Sequence, residues 1–129
     1  GFFRCKNPRH PNPRLFSGGN MQAFELQAIQ QEHQAAGQRW LEFLRVPELS
    51  MGLYVLPAGD VDPQQPHGEG EVYYVVSGRG WIRVAEEDRP VQAGSVVYVA
   101  AQVEHRFHTI EEELQVLVFF APAEGSAKE

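Results

Sequence analysis

The sequence predicts an all-β barrel preceded by one short helix. Eight short segments place apolar residues with a period of two, and turn residues separate them at intervals of roughly 8–12 residues, the rhythm of an antiparallel sandwich or barrel. The helix-patterned stretch lies ahead of these segments. Helices alternating with strands would mark parallel βαβ units, so this order favours an all-β domain. At 129 residues the chain fits one domain and buries enough apolar surface to fold without staples.

Residues 1–20 hold three prolines, two adjacent glycines and no periodicity, which reads as an irregular basic arm. The composition fits a disordered leader, or an arm that docks through Phe2, Phe3, Leu15 and Phe16. Residues 21–37 are rich in good helix formers and end at Gly37, which predicts a helix with Met21, Phe24, Ala28 and Ala35 along one side. The barrel is expected over 38–122. In RWLEFLRV, Trp40, Glu42, Leu44 and Val46 alternate with Leu41, Phe43 and Arg45, and both faces carry apolar groups, as in a strand covered on two sides. Pro47 to Ser50 turn the chain into MGLYVLP, and PAGDVDPQQP is a loop of turn residues. EVYYVVS, GWIRVA, PVQA, SVVYVA, HRFHTI and LQVLVFFA follow as six further strands. Their turns are expected at Ser77-Gly78, Glu87-Asp88, Ala93-Gly94 and the acidic run Glu111-Glu112-Glu113, and residues 123–129 read as a polar tail.

Charge narrows the partners. The net charge is −6, but Arg4, Lys6, Arg9 and Arg14 all lie in the arm, where there is no acid. The remaining chain carries seven basic against seventeen acidic residues. An acidic body does not suit a phosphate backbone, so nucleic acid is not expected as a partner. No apolar run approaches the ~20 residues that span a bilayer, and the basic N-terminus lacks the apolar stretch of a secretory signal. The single cysteine, Cys5, excludes an internal disulfide framework and suits a reducing, cytoplasmic location.

The chemistry-bearing pattern lies between Gly59 and Thr109. Gly59 is followed by five residues, then Gln65, Pro66 and His67; Glu71 and Gly78 follow at fixed spacing. This resembles the first motif of the cupin family, G-x5-H-x-H-x3,4-E-x6-G, with Gln65 where the family has its first histidine. Gly94 and His105 are similarly spaced to the second motif, G-x5-P-x-G-x2-H-x3-N, with Ala100, Gln102 and Thr109 replacing the proline, second glycine and asparagine. The resemblance covers 59–109, extended by flanking strands to about 38–122. It implies a double-stranded β-helix, the cupin or jelly-roll barrel, and commonly a homodimer.

The residues support the resemblance on their own terms. Alternate strand positions share a face, so Gln65, His67, Glu69, Glu71 and Tyr73 share parity, as do His105 and Phe107. Two imidazoles and a carboxylate make a nitrogen/oxygen site for one divalent first-row metal; iron(II) is the usual inference, with zinc, manganese, nickel and copper also compatible. The expected ligands are His67, Glu71 and His105, with Gln65 as a fourth ligand, a hydrogen-bonding neighbour or a bystander, and Glu69 as a substitute ligand. His10, His33 and His108 read as surface or hydrogen-bonded residues. Arg83 and Arg106 fit the solvated surface, or a two-pronged contact to a substrate carboxylate. Three functions follow: a small metalloenzyme, dioxygenase-like or an isomerase or lyase, acting on a small anionic or aromatic molecule; a binding or sensor module without chemistry; and a structural barrel with a degenerate site.

Overall fold

The computed structural model describes residues 20–63 and 66–126. Among these residues, one helix, α1 (Leu26–Ala36), precedes six strands: β1 (Trp40–Val46), β2 (Leu49–Leu56), β3 (Gly70–Val84), β4 (Glu87–Gln92), β5 (Val96–Val99) and β6 (His105–Ala121). All strand pairings are antiparallel, in the order β1-β2-β6-β3-β4 with β5 on β3. The arm at 1–19 lies outside the described residues. Among the described residues, no helix is long and apolar enough to cross a membrane.

Two strands are longer than the sequence pattern predicts, and they make the barrel. EVYYVVS and GWIRVA join as β3, and HRFHTI and LQVLVFFA join as β6. The chain does not reverse at Ser77-Gly78 or at Glu111–Glu113; it bends. In β3 the buried positions change from Glu71, Tyr73 and Val75 to Gly80 and Ile82, and the β3–β6 register shifts between Val75 and Trp81. In β6 they change from His105 and Phe107 to Ile110, Leu114, Val116, Val118 and Phe120, leaving Glu111, Glu112 and Glu113 exposed on the outside of the bend. Such irregularities fold a strand over, so that each half serves a different layer. One layer holds β1, β2, the second half of β6, the first half of β3, and β5; the other holds the first half of β6, the second half of β3, and β4. Gly78 makes the bend possible. Its φ is +98°, and a Cβ there would stand 2.0 Å from the Glu113 carbonyl oxygen.

The turn expected at Glu87-Asp88 falls at Ala85-Glu86 instead. Asp88 is drawn into β4 opposite Arg83, whose Nη1 donates to Asp88 Oδ2 at 2.7 Å, and His108 Nε2 lies 2.7 Å from Asp88 Oδ1.

The interior is packed by Tyr54, Leu56, Tyr73, Val75, Ile82, Phe107, Leu114 and Val116 among others. A second cluster lies on the outer face of β1 and β2, where α1 covers Leu41, Phe43 and Leu53. The helix is shorter than the expected 21–37, and its buried residue is Ile29; Met21, Ala28 and Ala35 are exposed. Apolar area explains the difference, because burying an isoleucine gains about 1.5–3 kcal/mol and an alanine methyl far less. Gly37 closes the helix as expected, with φ +70°.

Candidate metal centre

Three elements bring His67, Glu71 and His105 together. His67 lies in the loop before β3, Glu71 is the second residue of β3 and points inward, and His105 opens β6 beside Val84. One donor atom from each lies within 4.8 Å of the others. His105 Nε2 is 3.2 Å from Glu71 Oε2, and His67 Nε2 is 3.8 Å from the same oxygen. Ligands bound to one ion at ~2.0–2.2 Å stand about 3–3.5 Å apart, so this spacing fits one small cation.

Hydrogen bonding supports the fit. Glu71 Oε1 and His105 Nε2 are buried without a hydrogen-bond partner among the described residues. Leaving such a group unsatisfied costs about 1–3 kcal/mol, and more for a charge, which a coordinated cation removes. His105 Nδ1 lies 2.8 Å from the Val103 carbonyl oxygen. A carbonyl only accepts, so in the neutral ring Nδ1 carries the proton and Nε2 turns its lone pair toward Glu71. Burial opposes a charge on His105, but Glu71 and the Val103 carbonyl outweigh it and raise its pKa. A proton and a metal ion thus compete for one nitrogen.

The loop bearing His67 is tied down along its length. Gly59 N–H donates to the Ile110 carbonyl at 2.9 Å, and Gln102 N–H donates to the His67 carbonyl at 2.7 Å. Between them Asp62, buried in the wall, accepts from Tyr54 Oη at 2.5 Å and from Phe107 N–H at 2.9 Å. Burial, together with the Asp62 hydrogen bond and charge, holds the Tyr54 hydroxyl far above the ordinary tyrosine pKa, so it stays a donor. The Phe120 ring meets the His67 ring edge-on at 5.0 Å between centroids, Tyr73 packs against His105, and Phe107 packs against Tyr73.

Of the other expected residues, Gln65 lies outside the described residues. Glu69 is buried but does not join the three donors; it stands in the field of Arg45 and Glu124. Strand parity does not extend to it because β3 begins only at Gly70. His33 Nε2 lies 2.8 Å from the Arg39 carbonyl oxygen, and His108 sits on the outer face beside Trp81 and Asp88. Arg83 and Arg106 are exposed and face each other across β3 and β6. Asp62 and Glu124 escaped the sequence reading. One sits in a turn-rich loop and the other in a polar tail, where nothing distinguishes a pinned carboxylate from a solvated one.

Comparison with known proteins identifies the family and the fold. Residues 52–121 match the family model described as "Cupin domain". A protein of Streptomyces coelicolor, named "Uncharacterized protein SCO3923", is 51% identical over 105 residues, which are 81% of this chain and all of that one. Among solved structures, an RmlC-like cupin family protein with a double-stranded β-helix fold from Methanocaldococcus jannaschii superposes with a TM-score of 0.61 at 16% identity, covering 81% of this chain and 91% of that one. The protein BH2720 of Bacillus halodurans gives 0.65 at 15% identity, over 84% and 87% of the two chains. At these identities the structural likeness speaks for the fold alone.

Proposed function

We propose, since the chain belongs to the cupin domain family, that His67, Glu71 and His105 hold one divalent transition-metal ion and that the protein is a small metalloenzyme acting on a small molecule. The observation that carries this reading is the convergence of one donor atom from each of His67, Glu71 and His105 within 4.8 Å, two of these side chains being buried. Two imidazoles and a carboxylate leave open positions on such an ion, which supplies carbonyl polarisation or dioxygen activation when bound. Of the reactions expected, dioxygenase-like chemistry on iron(II) suits this donor set best.

The chain's own residues define the rest. The side chains of Glu71 and His105 are each 1% exposed and that of His67 is 21% exposed, so a substrate enters from the His67 side. Tyr73 and Phe107 exclude water below the site. On that side Glu124 stands beside His67 in the field of Glu42 and Glu69, and Arg45 is held by Glu42 through two hydrogen bonds of 3.0 and 2.8 Å. An entrance of this charge favours a neutral aromatic substrate over an anionic one. Arg83 and Arg106 lie exposed on the outer surface, the first of the two placements sequence allowed.

The packed interior favours one alternative: a structural barrel with a degenerate site. Elemental analysis decides the first step. Protein prepared with iron(II) under reducing conditions should carry one ion per chain, and His67→Ala and His105→Ala should lose it. Native protein without metal would remove the enzyme reading. Oxygen uptake by the loaded protein with small phenols and other neutral aromatics then separates enzyme from binder.

A homodimer and a cytoplasmic location belong to the same reading. Tyr74, Val96 and Tyr98, exposed together on the outer face of β3 and β5, offer an apolar surface for pairing. Sedimentation giving a monomer at working concentration would remove the dimer, and cell fractionation checks the location.

A further inference from the structure

The polar tail expected at 123–129 is, as far as residue 126, a docked turn. Ala123 is buried, and its N–H donates to the Pro47 carbonyl at 3.3 Å. Glu124 N–H donates to Ser50 Oγ at 2.9 Å, and Ser50 is itself fully buried. Arg45 Nη2 donates to the Glu124 carbonyl at 2.9 Å. Ser126 N–H closes the turn on the Ala123 carbonyl at 3.0 Å. Residues of β1, β2 and their connecting turn therefore fix the Glu124 backbone at the barrel mouth, and its half-buried side chain points at the metal centre.

The charged neighbours leave the Glu124 carboxylate one direction to turn. Glu42 and Glu69 repel it. Arg45 is already engaged by both oxygens of Glu42 and by the Glu124 carbonyl. On the open side stands His67, whose Nδ1 is 3.9 Å from Glu124 Oε2. A polar pair at that separation is bridged by one water or closed by a side-chain rotation. The two histidines are then set alike. Each turns Nε2 toward Glu71 and Nδ1 toward an acceptor: for His105 the Val103 carbonyl, for His67 a carboxylate.

We infer that Glu124 is the positioning residue for His67: its carboxylate accepts the Nδ1 proton, directly or through one water, and so fixes the ring with Nε2 facing Glu71 and His105. The inference rests on the metal-site reading above. A carboxylate behind a ligating histidine orients the ring and raises its basicity, and its loss typically weakens metal binding about 10–100-fold. The C-terminal turn thereby becomes part of the site, joined to it through β1 and β2 and not through the motif strands.

The test uses the full chain with zinc(II) as the probe. Competition titration should show Glu124→Ala weakening zinc binding about 10–100-fold. Glu124→Gln, whose carboxamide oxygen still accepts from Nδ1, should recover part of that loss. In the zinc-loaded protein, long-range proton–nitrogen spectra should show His67 protonated at Nδ1 in the native chain and altered in Glu124→Ala, with His105 unchanged. Zinc affinity within twofold of native in Glu124→Ala, while His67→Ala has lost binding, would overturn the inference and leave the metal site standing. A lowered melting temperature of metal-free Glu124→Ala without recovery of affinity in Glu124→Gln would also overturn it, by assigning Glu124 a structural role. Native zinc binding by both His67→Ala and His105→Ala would instead remove the metal-site reading.

Discussion

The two stretches that build the site reach the same backbone shapes by different means. Among the described residues from Gly59 to Gly78, the left-handed positions are glycines, with φ +77° at Gly59 and +98° at Gly78. In the stretch from Gly94 to Thr109, the first position is again glycine, at φ +95°, but Gln102 and Thr109 take φ +69° and +49°. These are the places where the resembled motif carries glycine and asparagine, the residues that tolerate this region best. The shape is present without the residue best suited to it. Gln102 is held because its N–H donates to the His67 carbonyl, which fixes the ligand loop. Thr109 is where β6 changes its inward face, between Phe107 and Ile110. A motif read only as letters undervalues the second half, since what the site needs there is a dihedral angle.

This comparison can be broken by substitutions graded in effect. Gly78→Ala should be the most damaging, because left-handed strain adds to a Cβ driven into the Glu113 carbonyl; a loss of about 3 kcal/mol or more is expected, read as a lowered melting temperature and denaturation midpoint. Gly59→Ala meets no neighbouring atom, so strain acts alone and the loss should be about 1 kcal/mol. In the second half the sign should reverse: Gln102→Gly and Thr109→Asn should each stabilise by about 0.5–1 kcal/mol, as strain relief outweighs any added freedom of the unfolded chain. Equal destabilisation by all four would show that the second half does not rest in strained dihedrals.

The strand rhythm made the barrel legible, and motif spacing made His67, Glu71 and His105 legible, because period and spacing are properties of neighbouring residues. Features that depend on distant ones were not legible. Ser77-Gly78 looks like a reversing turn, yet β6 pairs along both sides of it and holds the chain in a bend. Glu69 shares sequence parity with Glu71 but precedes the strand that would make parity meaningful. The helix face was misread because alanines were given the weight of Ile29, the residue that meets Leu41 and Phe43. Asp62 and Glu124 act through Tyr54, Phe107, Ser50 and Arg45, partners far away in sequence or hidden in ordinary strands.

The central claim is that His67, Glu71 and His105 share one metal ion. Crystals grown with iron(II) or zinc(II), with diffraction recorded on either side of the metal's absorption edge, test it most directly. One anomalous peak within bonding distance of His67 Nε2, His105 Nε2 and a Glu71 carboxylate oxygen is the predicted result. A space between these donors without a peak, or a peak bound elsewhere on the chain, would contradict it.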